Sequence, residues 1–162
     1  MQKVVITGHD LTVDQIIAVC REGAEVVLSD ESREKILASR QVVNELVEER
    51  KVVYGITTGF GKFSDVVISQ DECKLLQKNL IITHAVGAGD PFKEDIARGI
   101  LLLRVNSLSN GFSGICLETV ETMIAMLNKG VTPFIPLPGR IRRSGSPVPY
   151  GPSHDRSWNG LV

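Results

Sequence analysis

The chain has 162 residues, of which 43% are hydrophobic, 23% charged and 5% aromatic. That is one ordinary domain with enough apolar material for a core, which excludes wholesale disorder. Eighteen basic residues against nineteen acidic ones leave a formal charge of -1, too little surplus cation for a general nucleic-acid binder, and no apolar run is long enough to span a bilayer. Cys20, Cys73 and Cys116 form neither zinc spacing nor a disulfide framework, and the N-terminus reaches Thr7-Gly8-His9-Asp10 too soon for a signal peptide. The expectation is a cytoplasmic protein with reduced thiols and no metal site.

Val4-Val5-Ile6 reads as a short strand. Thr12 opens a helix with Gln15 at capping-box spacing; Val13, Ile16, Ile17 and Cys20 share a face, and Gly23 is a fitting stop. Ala24-Glu25-Val26-Val27-Leu28 reads as a second strand. Ser29 or Asp30 can cap a helix running to about Arg50, with an apolar stripe of Ile36, Leu37, Val43, Leu46 and Val47. Gly55-Ile56-Thr57-Thr58-Gly59-Phe60-Gly61 is a loop by its glycines. Asp71 caps a third helix bearing Leu75, Leu76, Leu80 and Ile81. Asp90-Pro91 starts a fourth, with Ile96, Ile100, Leu101, Leu103 and Leu108, which ends at Asn110-Gly111. Ser113 opens a fifth, with Val120, Met123, Ile124 and Leu127 inward and Gly130 as its stop. Thr132-Pro133-Phe134-Ile135-Pro136 is extended by proline sterics. The fold class is therefore mainly α with a few short strands. The last two helices are apolar enough either to pack on each other or to be buried against a partner.

Charge divides the chain. Residues 1–139 carry 14 Lys and Arg against 18 Asp and Glu, a balance of -4, while residues 140–162 carry four Arg and one Asp, a balance of +3. Ten of those last 23 residues are Gly, Pro or Ser, a composition that cannot offset its ordering entropy by burial. The division is thus a body over 1–139 and a loose, basic tail over 140–162.

Three places could carry chemistry. Tyr54 lies where an extended segment meets the glycine loop, and a phenol serves as a base only where its phenolate is stabilised. The loop itself lacks the Gly-Lys-Ser/Thr ending of a phosphate cradle and the Rossmann spacing, so a flexible substrate loop fits it better. His84 follows an apolar stretch, and neither His9 nor His154 is spaced to complete a metal site with it. Each has a plainer reading as a packed or hydrogen-bonded residue.

Taken together these segments resemble one family. Tyr54-Gly55-Ile56-Thr57-Thr58-Gly59-Phe60-Gly61 resembles the signature Tyr-Gly-(Ile/Val)-(Asn/Thr)-Thr-Gly-Phe-Gly of the aromatic amino-acid ammonia-lyases. Leu76-Gln77-Lys78-Asn79-Leu80 with Thr83-His84-Ala85 and Gly87, then Leu102-Leu103-Arg104-Val105-Asn106-Ser107-Leu108, and Leu117-Glu118-Thr119-Val120-Glu121 continue the likeness to about Gly139. The resemblance implies the N-terminal domain of the ammonia-lyase fold, incomplete here. It also implies non-oxidative deamination of an amino acid by a methylidene-imidazolone made from an internal Ala-Ser-Gly. An amine is a poor leaving group and a β-proton weakly acidic, so an electrophile and a base are both required. By the family pattern Tyr54 is the base, Gly61 belongs to the substrate-binding lid, and His84 meets the substrate side chain. Histidine is the leading substrate, with tyrosine the other. The family is homotetrameric, and neither nucleic acid nor membrane is expected as a partner.

The likeness breaks after Gly139, where the family reads Ser-Val/Leu-Gly-Ala-Ser-Gly-Asp-Leu-Ala-Pro-Leu-Ser-His-Met-Ala. Ser144-Gly145 falls in register with the cyclising pair, but Arg143 stands where Ala belongs. Cyclisation needs a tight buried turn that Arg140, Arg142 and Arg143 resist, so Ser144 and Gly145 are not expected to form the cofactor. A one-base shift across residues 149–157 permits His-Met-Ala-His-Leu-Met-Ile-Gly, which resembles the family continuation and suggests out-of-frame translation from about residue 140. The expected product is a truncated, inactive histidine ammonia-lyase-like chain. Two alternatives remain: a catalytically dead helical module that docks on a full-length lyase, and an inert translation product.

Overall fold

A computed structural model describes residues 2–49, 51–54, 56–58, 70–84, 89–137, 140–141 and 147–148. Lys3–Ile6 (β1) and Glu25–Leu28 (β2) lie parallel, with Val4 opposite Val26 and Ile6 opposite Leu28, joined by helix α1, Val13–Arg21. Strand side chains alternate between faces, and Val4, Ile6, Val26 and Leu28 point into the core. Thr12 and Gln15 form the expected capping box on α1, and Gly23 follows its end at φ +73°. Ser29 accepts from the Ser32 amide and starts α2, Asp30–Glu48. Then come α3, Gln70–His84, α4, Glu94–Leu108, and α5, Leu117–Asn128. Arg140–Ile141 (β3) pairs antiparallel with Pro147–Val148 (β4) inside the stretch read as a tail.

The core sits between the two parallel strands and helices α1, α4 and α5. Ala18 and Val19 of α1, Leu101, Leu102, Val105 and Leu108 of α4, and Val120, Ile124 and Leu127 of α5 are buried together, with Ile36 of α2. The last two helices do pack on each other: α5 turns Val120, Ile124 and Leu127 inward with Met123 packed against them, as expected, and α4 buries the expected Leu101 and Leu108, but the rest of the α4 face differs. On α4 the buried positions include Ala97, Leu102 and Val105, whereas Ile96, Ile100 and Leu103 are exposed. On α2 only Ile36 of the expected stripe is buried, and Leu37 is exposed.

Three helix starts also differ. Asp90-Pro91 does not open α4. The Phe92 amide donates to the Ile135 carbonyl (2.9 Å), the Leu137 amide donates to Asp90 (2.8 Å), and Pro91 bridges Pro136, so this segment is held extended and the helix begins after Lys93. Ser113 does not cap α5. The Gly114 amide donates to Ser39 Oγ (3.0 Å) and its carbonyl accepts from Arg40 Nη1 (3.2 Å), which holds 113–116 against α2 and moves the helix start to Leu117. Asp71 lies inside the first turn of α3 rather than before it.

Side chains from the helices then hold backbone far away in sequence. Arg98 of α4 is only 8% exposed and donates through Nη2 to the Val19 carbonyl (3.0 Å) and the Leu127 carbonyl (3.2 Å). Asn128 accepts from the Val26 amide (2.8 Å) and donates to the Val26 carbonyl (2.9 Å), as a neighbouring strand would. Asn106 makes the same two-way contact with Gly8 at 3.2 Å each way. Gly8 has φ +96°, and a Cβ there would lie 2.8 Å from Asn110 Cγ, so only glycine fits.

Arg98→Met should lower stability by about 2–3 kcal/mol, because two buried carbonyls lose a charged donor. Arg21→Ala, which breaks the exposed pair with Asp95 (3.0 Å), should cost less than about 1 kcal/mol. Urea unfolding of the two variants checks the contrast.

Candidate functional site

The chain leaving α2 folds back on itself at residues 51–57. The Ile56 and Thr57 amides both donate to the Val53 carbonyl, at 3.1 and 3.0 Å. The Thr57 hydroxyl donates to the Lys51 carbonyl and accepts from the Val53 amide (2.9 Å). Thr57 and Thr58 are buried, whereas Tyr54, at the crest of this turn, is 62% exposed. The fold therefore presents the Tyr54 phenol outward from an anchored base. Thr57 escaped the sequence reading as a residue of note. Its signal was a hydroxyl side chain within a glycine-rich loop, the kind that bonds nearby backbone.

His84 ends α3 and its ring is exposed. Nδ1 lies 2.9 Å from the Leu80 carbonyl and 3.1 Å from Thr83 Oγ1. A carbonyl can only accept, so in a neutral ring Nδ1 is the nitrogen that carries the hydrogen and Nε2 is the acceptor. The Thr83 hydroxyl donates in turn to the Asn79 carbonyl (2.8 Å). Tyr54 and His84 thus stand on separate segments, one after α2 and one at the end of α3. Gly61, Ser144 and Gly145 lie outside the described residues, as does the rest of the glycine loop from Gly59.

Of the thiols, Cys20 is partly buried against α4, and burial pushes it above the ordinary range while the nearby Arg98 pulls the other way. It is shielded, not activated. Among the described residues no group of three His, Cys, Asp or Glu could hold a metal ion, and no helix is long and apolar enough to cross a membrane.

The family model for aromatic amino acid lyases covers residues 11–151, and the chain belongs to that family. Within it, the chain is 56% identical over 149 residues to histidine ammonia-lyase of Alkaliphilus oremlandii and 54% identical over 149 residues to that of Caldanaerobacter subterraneus subsp. tengcongensis. Each match takes in 92% of this chain and 29% of the relative, so the chain spans less than a third of those relatives' length. The crystal structure of histidine ammonia-lyase from Trypanosoma cruzi superposes with a TM-score of 0.80 at 40% identity, covering 86% of this chain and 27% of that one. The expected fold class, mainly helical with short strands on the ammonia-lyase pattern, is thereby established for this chain.

The His84 tautomer should appear directly. Long-range proton–nitrogen correlation spectra near pH 8 should show the proton on Nδ1, with Nε2 bare. Native Cys20 should alkylate more slowly than a small free thiol at the same pH. Because the folded chain favours the neutral thiol, any stability this gives is complete below the ordinary thiol pKa and declines as pH rises above it.

Proposed function

We propose that the chain comes from a lineage that deaminates L-histidine to urocanate and ammonia in the cytoplasm. The supporting observation is the identity of 54–56% with histidine ammonia-lyases, together with Tyr54 held outward by the Thr57 turn. In that lineage Tyr54 takes the β-proton, His84 Nε2 accepts from an imidazole N–H of the substrate, and Gly61 lets the lid backbone approach closely. The reaction also needs an electrophile to hold the departing amine, and the family makes it from Ala-Ser-Gly.

This polypeptide does not fit that group. It contains no Ala-Ser-Gly, and Arg143 precedes Ser144-Gly145. No step is therefore assigned to the group here, and the chain as it stands is inactive in this reading. Incubation with L-histidine should produce no urocanate absorbance. The intact mass should equal that of the unmodified 162 residues, without loss of water. Urocanate formation, or a dehydrated mass, would overturn the assignment of inactivity.

The genetic code gives the missing triad a source. Drop the first base from the codons of residues 137–152 and they can read Ser-Leu-Gly-Ala-Ser-Gly-Asp-Leu-Ala-Pro-Leu-Ser-His-Met-Ala without a break. That is the family stretch in full. The Ala comes from Arg140 and Ile141, the Ser from Ile141 and Arg142, and the Gly from Arg142 and Arg143. On this reading the frame slips just before Leu137, and Ser144 is not the cyclising serine. The reading fixes individual bases: Arg140 must be CGC, Ile141 ATC, Pro149 CCA and Tyr150 TAT. Sequencing the gene decides it, since any other codon at one of these four positions breaks the family stretch.

A second reading is favoured by the exposed apolar residues Leu75, Ile81 and Ile82 of α3 and Ile96, Ile100 and Leu103 of α4. It makes the chain a silent module that docks on a full-length lyase. Co-elution of the purified pair on a sizing column supports it, and separate elution removes it.

A further inference from the structure

We infer that Thr57 is the positioning residue for Tyr54, and that position 57 requires a side chain able to accept and donate a hydrogen bond at once. The importance of Tyr54 rests on the reading above; the geometry of its support does not. One hydroxyl spans the neck of the turn, accepting from the Val53 amide (2.9 Å) and donating to the Lys51 carbonyl. Val53 is also the acceptor for the Ile56 and Thr57 amides. Both backbone groups of the residue just before Tyr54 are therefore tied to 56–57, and the Lys51 carbonyl is tied to the same hydroxyl. Thr57 is 5% exposed, so water cannot easily replace either bond. Tyr54 itself projects from this clamp, and the direction of its Cα–Cβ bond follows from the backbone that Thr57 fixes.

The same demand explains a feature of the signature that Tyr54-Gly55-Ile56-Thr57 resembles, which admits Asn or Thr at this place. Those two residues look unlike each other in shape and branching. They share the one property the clamp needs: an oxygen that can take the Val53 amide and a hydrogen that can reach the Lys51 carbonyl. Valine has the shape of threonine and neither capacity.

The test uses the whole chain with Tyr150→Phe, which leaves Tyr54 as the sole tyrosine of the two. Carbon-13 labelling of tyrosine then reports the Tyr54 ring alone, and trypsin cleavage after Lys51, followed by mass, reports opening of the neck. Thr57→Val should move the Tyr54 ring signals to free-peptide values and raise cleavage after Lys51 roughly tenfold or more. Thr57→Ser and Thr57→Asn should keep both readouts near those of the parent. Unchanged signals and cleavage in Thr57→Val would overturn the inference. So would a loss in Thr57→Ser and Thr57→Asn as large as in Thr57→Val, since that pattern belongs to the threonine methyl and its packing. If Thr57→Val fails to fold, native behaviour of Thr57→Asn alone upholds the hydrogen-bond requirement and collapse of Thr57→Asn ends it. None of these readouts needs turnover, so a failure here is separate from a failure of the lyase reading.

Discussion

A guanidinium is costly to remove from water unless its donors find partners. Arg98 meets that cost with carbonyls in the last turns of α1 and α5, Val19 and Leu127. Those turns carry the negative ends of their helix dipoles, so the cation is favoured by charge as well as by hydrogen bonding. One side chain thereby fixes three helices. Because α1 is the crossover between β1 and β2, its placement also sets the two-stranded sheet. Asn128, one residue past Leu127, closes the circuit by pairing with both backbone groups of Val26.

What was readable from sequence was what the chain decides locally. The Thr12 capping box, the Ser29 cap and the glycine stops at Gly23 and Gly130 all rest on contacts within a few residues. What was misread depended on distant chain. Asp90-Pro91 has every mark of a helix start, but Ile135 and Leu137 claim its backbone. Ser113 could cap α5, but Ser39 and Arg40 hold the neighbouring Gly114 first. The face of α4 could not be chosen by periodicity, since apolar residues surround it. Arg98 decides the matter: once its guanidinium must reach two carbonyls across the core, Leu102 and Val105 turn inward and Ile96 and Leu103 turn out.

The site divides in the same way. Tyr54 and His84 were recognisable as residues because their neighbours in sequence form a signature. Their geometry was not, because it is made of backbone bonds: the Val53 turn for one, the Leu80 carbonyl for the other. Thr57 was invisible as a candidate for the same reason, its role being to bond main chain and not to meet substrate. Tyr54 and His84 lie on segments outside the core, which belongs to α1, α4, α5, the strands and Ile36 of α2.

Among the described residues the hydrophobic cluster falls between Val4 and Leu127, and the backbone tie between Asp90 and Leu137 lies ten residues beyond it. A ribosome has therefore delivered every side chain of this described cluster before it reaches the codon of Leu137. A change in the downstream codons therefore leaves every residue of that described cluster unaltered in identity.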